Sequence, residues 1–413
     1  MWLLTIIMKA FIIVLKGANT AFLPCYGNNW TQMPNMNVIA AQSLVLDHYY
    51  CSSYEEGEIR KVWLGGDFQT PHHLPTNLPS WAETLKNNGW ITDFIGADKD
   101  TLSLNFSSNF TGKTLLRSNS STPLAYHQAM IESDSFKKQD KNSLIWIEVP
   151  SLLPPWGAGK GFLGPVQEEL QDYFLNREEV AEDEEFPAPI LNPGEDFKPS
   201  DDKEYLALAA GCAAAWAAVD DMLGAMVASI QEKYGEEDFS IIITSDRGSA
   251  TSQHGVFGTK PEWLYSEFAQ LPFLIYQPKS GKGGQRRMGY FQDVDLAPTL
   301  ADICGISFEG YKGKSIMQTK FVEECGRKFA YTHDSKTGSK VMRTHSRAYF
   351  LKPSELDKSD PLIKYFVLPD DILEINDISK TELAYQEKIG ESILLLEKDG
   401  LLAQEKIEAL LAN

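Results

Sequence analysis

Three short stretches bring together side chains able to bind an anion or move a proton. The first is residues 240–260, SIIITSDRGSATSQHGVFGTK, in which Asp246 and Arg247 are followed by His254, Gly255, Gly258 and Lys260. The run Ile241, Ile242, Ile243, Thr244 reads as a buried strand. A carboxylate and a guanidinium therefore fall just past its carboxyl end, where open α/β sheets place their ligand sites. The second stretch is residues 46–66, LDHYYCSSYEEGEIRKVWLGG, with Glu56 and Arg60 in and after an acidic turn. The third is Lys16 and Gly17, directly after AFIIVL at residues 10–15, which reads as the first core strand. Arg60, His254 and Lys260, with Lys99 as a further candidate, could hold an anionic ligand. Glu56 could act on such a ligand as a base or as a carboxylate nucleophile.

In order and spacing these stretches resemble the sulfatase family of the alkaline-phosphatase superfamily. The family reads T-S-D-H/N-G and then H-G-x-x-G-K; here T-S-D-R-G occupies residues 244–248, with Arg247 where the family has a metal-binding His or Asn. The family's first strand leads into V-D-D and, further on, G-C-Y-G-N. Counting back from Cys25, Tyr26, Gly27 and Asn28 puts Lys16 and Gly17 on the paired aspartates. In active relatives those carboxylates hold a divalent cation, because a hard cation needs several anionic oxygens. The family segment F-x-N-A-Y-x-x-S-P-x-C-S-P-S-R-x-x-L-L-T-G aligns without a gap on residues 46–66. Tyr50, Ser53, Arg60, Leu64 and Gly66 fall on family residues, and Glu56 falls on the Cys or Ser that becomes formylglycine. A Glu side chain cannot become an aldehyde, and Gly57 and Glu58 replace the rest of the C-x-P-x-R signal. The family's G-K-W-H is Gly96, Ala97, Asp98, Lys99 here, with neither the Lys nor the His in register. Leu153 stands at the His of P-H-x-P-W, so a general acid is missing as well.

The resemblance runs from about Ala10 to about Leu396 and retains fold motifs where chemical ones are replaced. It implies an α/β fold of the alkaline-phosphatase/sulfatase type: a large, mostly parallel sheet, then a small C-terminal antiparallel sheet packed with a helix. The expected division is a core at residues 8–315 and a C-terminal subdomain at 316–413, with an acidic excursion or lid at 168–202. It further implies a catalytically inactive protein with a metal-free network of Lys16, Arg60, Arg247, Asp246 and Glu56. Fixed cations would neutralise carboxylates left behind by a lost dication. No cofactor is expected; calcium or magnesium is the alternative. The expected ligand is a small sulfated or phosphorylated anion, with a protein partner or a second copy also open. Two other readings stand beside this one: an ester hydrolase working through Glu56, and a register shifted by a loop insertion. The plain alternatives for Lys16 and for Glu55 to Glu58 are a surface lysine and a solvated acidic turn.

The whole chain of 413 residues has a formal charge of −19, which argues against nucleic acid and anionic membranes as partners. Five scattered cysteines without a C-x-x-C are expected to be free thiols. Residues 1–15 lack a basic n-region and a small-residue cleavage site, so Met8 is an alternative start and the cytoplasm the expected location, export being the alternative.

Around the three stretches, residues 78–90 predict a helix capped by Ser80, residues 143–149 a strand and residues 204–233 an Ala-rich amphipathic helix. Residues 101–122 read as an irregular surface segment. The runs 329–332, 346–351 and 364–368 read as strands of the small sheet, and 380–411 as one terminal helix.

Overall fold

The structure is a computed structural model that describes residues 8–65, 80–117, 122–157, 160–175, 187–194, 197–235, 239–251, 254–308, 310–318, 326–354 and 361–412. The strands in chain order are β1 (Lys9–Leu15), β2 (Ser43–Tyr50), β3 (Ile91–Ala97), β4 (Gly112–Leu116), β5 (Ser143–Val149), β6 (Phe239–Thr244), β7 (Ala250–Thr251) and β8 (Phe257–Gly258). They continue with β9 (Phe273–Tyr276), β10 (Arg286–Gln292), β11 (Phe329–Asp334), β12 (Ser339–Thr344), β13 (Arg347–Lys352) and β14 (Leu362–Val367). The helices are α1 (Pro34–Ala41), α2 (Glu56–Gly65), α3 (Trp81–Asn87), α4 (Thr101–Ser107), α5 (Pro123–Glu132) and α6 (Asp134–Lys137). After them come α7 (Lys160–Leu175), α8 (Asp202–Tyr234), α9 (Ser266–Ala269), α10 (Leu296–Cys304), α11 (Leu383–Asp399) and α12 (Gln404–Ala412).

The chain forms two packed units. The first comprises residues 1–44, 91–260 and 274–284. Its strands run in the order β9-β6-β1-β5-β3-β4. β1 lies parallel to β5 and β6, and β3 lies parallel to β4 and β5. Every residue of β1, β5 and β6 is buried, so these strands are continuous apolar runs rather than alternating ones. The register pairs Val14 with Thr244 and Leu15 with Val149, which brings the carboxyl ends of β1, β5 and β6 level. α8 is long and apolar enough by composition to cross a membrane, but 89% of its apolar window is buried in protein. Its Asp220 accepts backbone N–H bonds from Asn35 (3.1 Å) and Met36 (2.7 Å), which caps the first turn of α1. A helix N-terminus favours a carboxylate there, although burial raises the Asp220 pKa.

The second unit comprises residues 45–90, 261–273 and 285–413. In it β2, from Val45 on, runs parallel to β10, and β11-β12-β13-β14 form an antiparallel sheet. Phe329, Tyr331, Met342, Tyr349 and Tyr365 of that sheet share a core with Ile389, Ile393 and Leu396 of α11 and Ile407 of α12. The packing divides elsewhere than at residue 315. Val62 and Val294 enter the same core, and buried Asp295 pairs with buried Arg327, so residues 285–315 belong with the C-terminal part.

Several local expectations change. Residues 101–122 are not irregular throughout: Asp100 caps α4, and β4 extends the parallel sheet. Residues 168–175 continue α7 rather than leaving the body, and Leu170 packs with Leu206 and Ala210 of α8. Beyond residues 176–186 and 195–196, which lie outside the described residues, the excursion touches α8: Ile190 donates to the Ala207 carbonyl (3.0 Å). The terminal helix is two helices, because Gly400, at φ 60°, ends α11. β12 joins the small sheet. Residues 1–7 and Cys325 lie outside the described residues, so the choice between Met1 and Met8 does too; Cys25, Cys51, Cys212 and Cys304 are free thiols.

Within the second unit, Arg343 donates to Glu374 through Nε (2.8 Å) and Nη2 (3.2 Å), and both side chains are fully buried. Arg343→Met leaves Glu374 charged in the interior, and the expected loss of unfolding free energy is about 3–5 kcal/mol. Urea denaturation measures it. Arg343→Met with Glu374→Gln should lose clearly less, and equal losses would mean that burial of the charge is not the cause.

Candidate functional site

The carboxyl edge of the first unit's sheet gathers most of the residues singled out from the sequence. Lys16 follows β1 and is 4% exposed. Its ammonium forms a close ion pair with Asp100 and lies 4.0 Å from Asp246 Oδ2. Asp246 follows β6 and is fully buried; its Oδ1 accepts the N–H groups of Gly17 (3.2 Å) and Arg247 (2.9 Å). The level strand ends put these residues together, since Lys16 and Asp246 each stand just beyond a strand of the aligned register.

Asp100 and Glu148 were not singled out from the sequence. Asp100 accepts from the N–H of Leu102 (3.1 Å) and of Ser103 (3.0 Å) and from Ser103 Oγ (2.7 Å). Burial opposes its charge, but the Lys16 ammonium and the Ser103 donors outweigh that and hold its carboxyl well below the usual range. Ser103 Oγ also contacts Glu148 of β5, which accepts from Trp146 Nε1 (3.2 Å). The signal for Asp100 was an Asp three residues before a Ser at the start of a helix, a cap pattern. Glu148 carried no signal, because it sits in an apolar strand. Lys99, the candidate from this loop, is exposed, and Ala97 ends β3 as a buried residue.

Gly17 and Leu153 are matched in shape. Gly17 has φ +81°, and a Cβ built on it would lie 2.3 Å from Leu153 Cδ2 and 3.0 Å from Cγ. Leu153 thus fills the space into which a side chain at position 17 would project. Ser249 Oγ donates to the Gly17 carbonyl (2.8 Å), and Gly17 bridges to Gly248. A divalent cation needs several oxygen ligands. At this edge the positions aligned with the family's metal ligands carry an ammonium, a glycine under Leu153 methyl groups, one carboxylate and Arg247. These residues do not fit a dication, and among the described residues no group of three or more His, Cys, Asp or Glu is arranged to hold one. His254, half-buried, and Lys260, exposed, lie in and after the β7–β8 hairpin.

In the second unit Glu56 opens α2 and accepts from Arg60 Nη1 at 3.1 Å, one helical turn on. Arg60 is 4% exposed and stands over the Trp63 ring. The approach to α2 is held by side chains. Ser52 donates from N (3.1 Å) and Oγ (2.8 Å) to Asp293, and Ser53 Oγ donates to Glu58 (2.5 Å). Burial pushes the Asp293 carboxyl up to about 6. Glu58 also takes His333 Nε2 at 3.2 Å. Of the five residues expected in one network, Lys16 faces Asp246 within the first unit, with Arg247 next in the chain, and Glu56 pairs with Arg60 within the second. The nearest partner of Lys16 is the unforeseen Asp100.

Residues 181–306 match the sulfatase family model. Over 122 residues the chain is 33% identical to an N-acetylglucosamine-6-O-sulfatase of Bacteroides thetaiotaomicron; the match covers 28% of this chain and about a fifth (21%) of that protein. The fold is similar to that of a protein solved in complex with its substrate D-glucosamine-2-N,6-O-disulfate, with TM-score 0.74, 18% identity, and 97% and 98% of the two chains covered. It is also similar to the phosphonate monoester hydrolase of Agrobacterium radiobacter, with TM-score 0.71, 14% identity and coverage of 95% and 96%. A third similar structure is the putative sulfatase yidJ from Bacteroides fragilis, with TM-score 0.70, 14% identity and coverage of 98% and 97%. Residues 181–306 thus resemble the sulfatase family in sequence, and over nearly its whole length the chain has a fold similar to those of these solved proteins.

Proposed function

We propose that this protein is a metal-free pseudo-sulfatase: a sulfatase fold in which the hydrolytic centre has been replaced by fixed charges, with basic side chains kept for a small anionic ligand. The observation that carries this reading is the ammonium of Lys16 between Asp100 and Asp246, beside a Gly17 covered by Leu153. In the family pattern these positions need carboxylates around a dication. Here a lysine supplies the positive charge and a leucine occupies the volume. At the nucleophile position stands Glu56, which cannot give formylglycine and is held by Arg60. The ligand class is a sulfated or phosphorylated small molecule, with His254 and Lys260 of the first unit as the binding residues. The sulfated sugar bound by a structural neighbour of the same fold supports an anion of this kind.

A second reading keeps the chain active. Similar folds include sulfatases and phosphonate monoester hydrolases, and Glu56 is a carboxylate at the aligned nucleophile position. On that reading Glu56 acts as base or nucleophile without a metal.

A panel of aryl sulfates, phosphate mono- and diesters and phosphonates separates the two. No turnover is expected with or without added calcium or magnesium. Turnover that vanishes in Glu56→Ala overturns the pseudoenzyme and makes Glu56 the centre of the mechanism.

The shape match at Gly17 gives a second test. Gly17→Ala forces an L side chain into a positive φ and against Leu153, with an expected cost of about 1–3 kcal/mol. The same change costs less in a Leu153→Ala background, and a double-mutant cycle of thermal stability reads the coupling. Strict additivity would mean that Leu153 does not fill the place of a side chain at position 17.

A further inference from the structure

We propose that His48 and His345, with the side-chain oxygen of Gln270, form a site in the second unit for a divalent transition-metal ion of the zinc, copper or nickel type. Imidazoles suit such ions, whereas the family positions at the edge of the first unit's sheet take carboxylates for a hard cation. The inference stands whether or not the protein turns over a substrate. The three residues line a cavity of about 60 Å³ together with Tyr50, Ser266 and Tyr290. A water takes about 30 Å³ of liquid volume, so an ion with about one or two water ligands fits there. His345 is exposed and His48 half-buried, which gives an ion a way in from solvent.

The fold sets both imidazoles around one tyrosine. His48 of β2 and Tyr290 of β10 are register partners in a parallel pair, and their rings stack with centroids 5.1 Å apart. Tyr290 Oη donates to the Thr344 carbonyl (2.8 Å), which fixes the chain directly before His345. The His345 ring lies 4.9 Å from that of Tyr290 and 6.2 Å from that of His48, the two imidazole planes standing at 71°. Zinc–nitrogen bonds of about 2.0–2.1 Å place the centroids of two imidazoles on one ion roughly 5–6 Å apart. Rotation of the exposed His345 side chain closes the difference.

The three groups are acceptors to which the protein supplies no donor. Among the described residues none bonds to a ring nitrogen of His48 or His345. His48 Nδ1 is shut off from water, which leaves Nε2 as the nitrogen for a ligand. Gln270 Nε2 donates to the Asp47 carbonyl (2.8 Å), which can only accept, so the amide oxygen is the end left over. The Ser266 and Tyr290 hydroxyls donate elsewhere, to Glu374 (3.0 Å) and to Thr344. Asp47, next to His48, and Glu374, which accepts from Ser266, are held by Arg286 and Arg343. The donor set is therefore two imidazoles and one amide oxygen. One cation satisfies all three at once, and imidazole selects a transition metal over calcium or magnesium. The chain's formal charge of −19 favours the approach of cations.

Calorimetric titration of the full chain, stripped with EDTA, with zinc chloride tests this, together with electron paramagnetic resonance after adding copper(II). Zinc should bind at one ion per chain, and the copper spectrum should show hyperfine coupling to two imidazole nitrogens. His345→Gln, a change at an exposed residue, should weaken zinc binding by about tenfold or more, since even the outer partners of metal ligands act on that scale. It should also leave one imidazole in the copper spectrum. His48→Gln should do the same, with circular dichroism confirming the fold. His72 and His73, outside the described residues, are a competing source of imidazole. Changing both to Gln should leave zinc affinity as it was. Absence of zinc binding, binding unaltered in His345→Gln, or binding lost with His72 and His73 overturns the proposal.

Discussion

A buried ammonium beside two carboxylates is the charge balance on which the carboxyl edge of the first unit rests. The parallel register of β1, β5 and β6 leaves no choice about where the chain exits the sheet, so residues 16 and 246 must meet. A fully buried Asp246 and a partly buried Asp100 at that edge would be costly without a cation nearby. Lys16 provides it from within the chain, on a flexible stem that reaches both. Asp100 then does two jobs with one carboxylate, capping α4 and neutralising Lys16, which ties a local helix signal to a long-range ion pair.

The second unit solves the same problem differently. Two of its buried arginines are locked bidentately to carboxylates, Arg327 to Asp295 and Arg343 to Glu374. A guanidinium satisfies two carboxylate oxygens at once, so these pairs also fix orientation. Asp295 receives the backbone N–H of Lys314 (2.8 Å) and of Gln292 (2.9 Å) as well. The Asp-rich start of the α10 region thus holds three chain segments of one unit together. The approach to α2 has no such arginine. It depends on Ser52, Ser53 and His333, side chains with fewer donors than an arginine.

What could be read from the sequence divides along the same physical line. Strands buried on both faces announce themselves as apolar runs, so β1, β5 and β6 were legible, and so was the Ser80 cap of α3, which accepts from the Glu83 N–H at 3.2 Å. β12 was not: Ser339, Lys340 and Arg343 dilute its pattern, yet Lys340 and Arg343 are accommodated because Glu397 and Glu374 reach them from elsewhere in the chain. The substitutions at family positions were legible from register alone. Their partners were not, since Ser103, Glu148 and His333 belong to no motif, and the cap signal of Asp100 says nothing of Lys16; these residues acquire meaning only through distances in the fold. The alternation of Lys99 and Asp100 illustrates the limit: charge and loop position favoured the lysine, and one residue of turn geometry gave the inward place to the aspartate.

The pattern of replacement also bears on how the site came to its present form. Loss of a metal site by unconstrained drift would leave carboxylates without a countercharge and a void where ligands had stood, each destabilising by kilocalories. Here the residues are complementary in both respects. Gly17, aligned with one of the family's paired aspartates, leaves the space beside it to the Leu153 methyl groups. The neighbouring position carries a lysine, and a third carboxylate, Asp100, accompanies it. Charge and volume are thus each balanced at this edge. A charge-balanced and filled edge of this kind is what the stability of the fold requires, whatever chemistry takes place there.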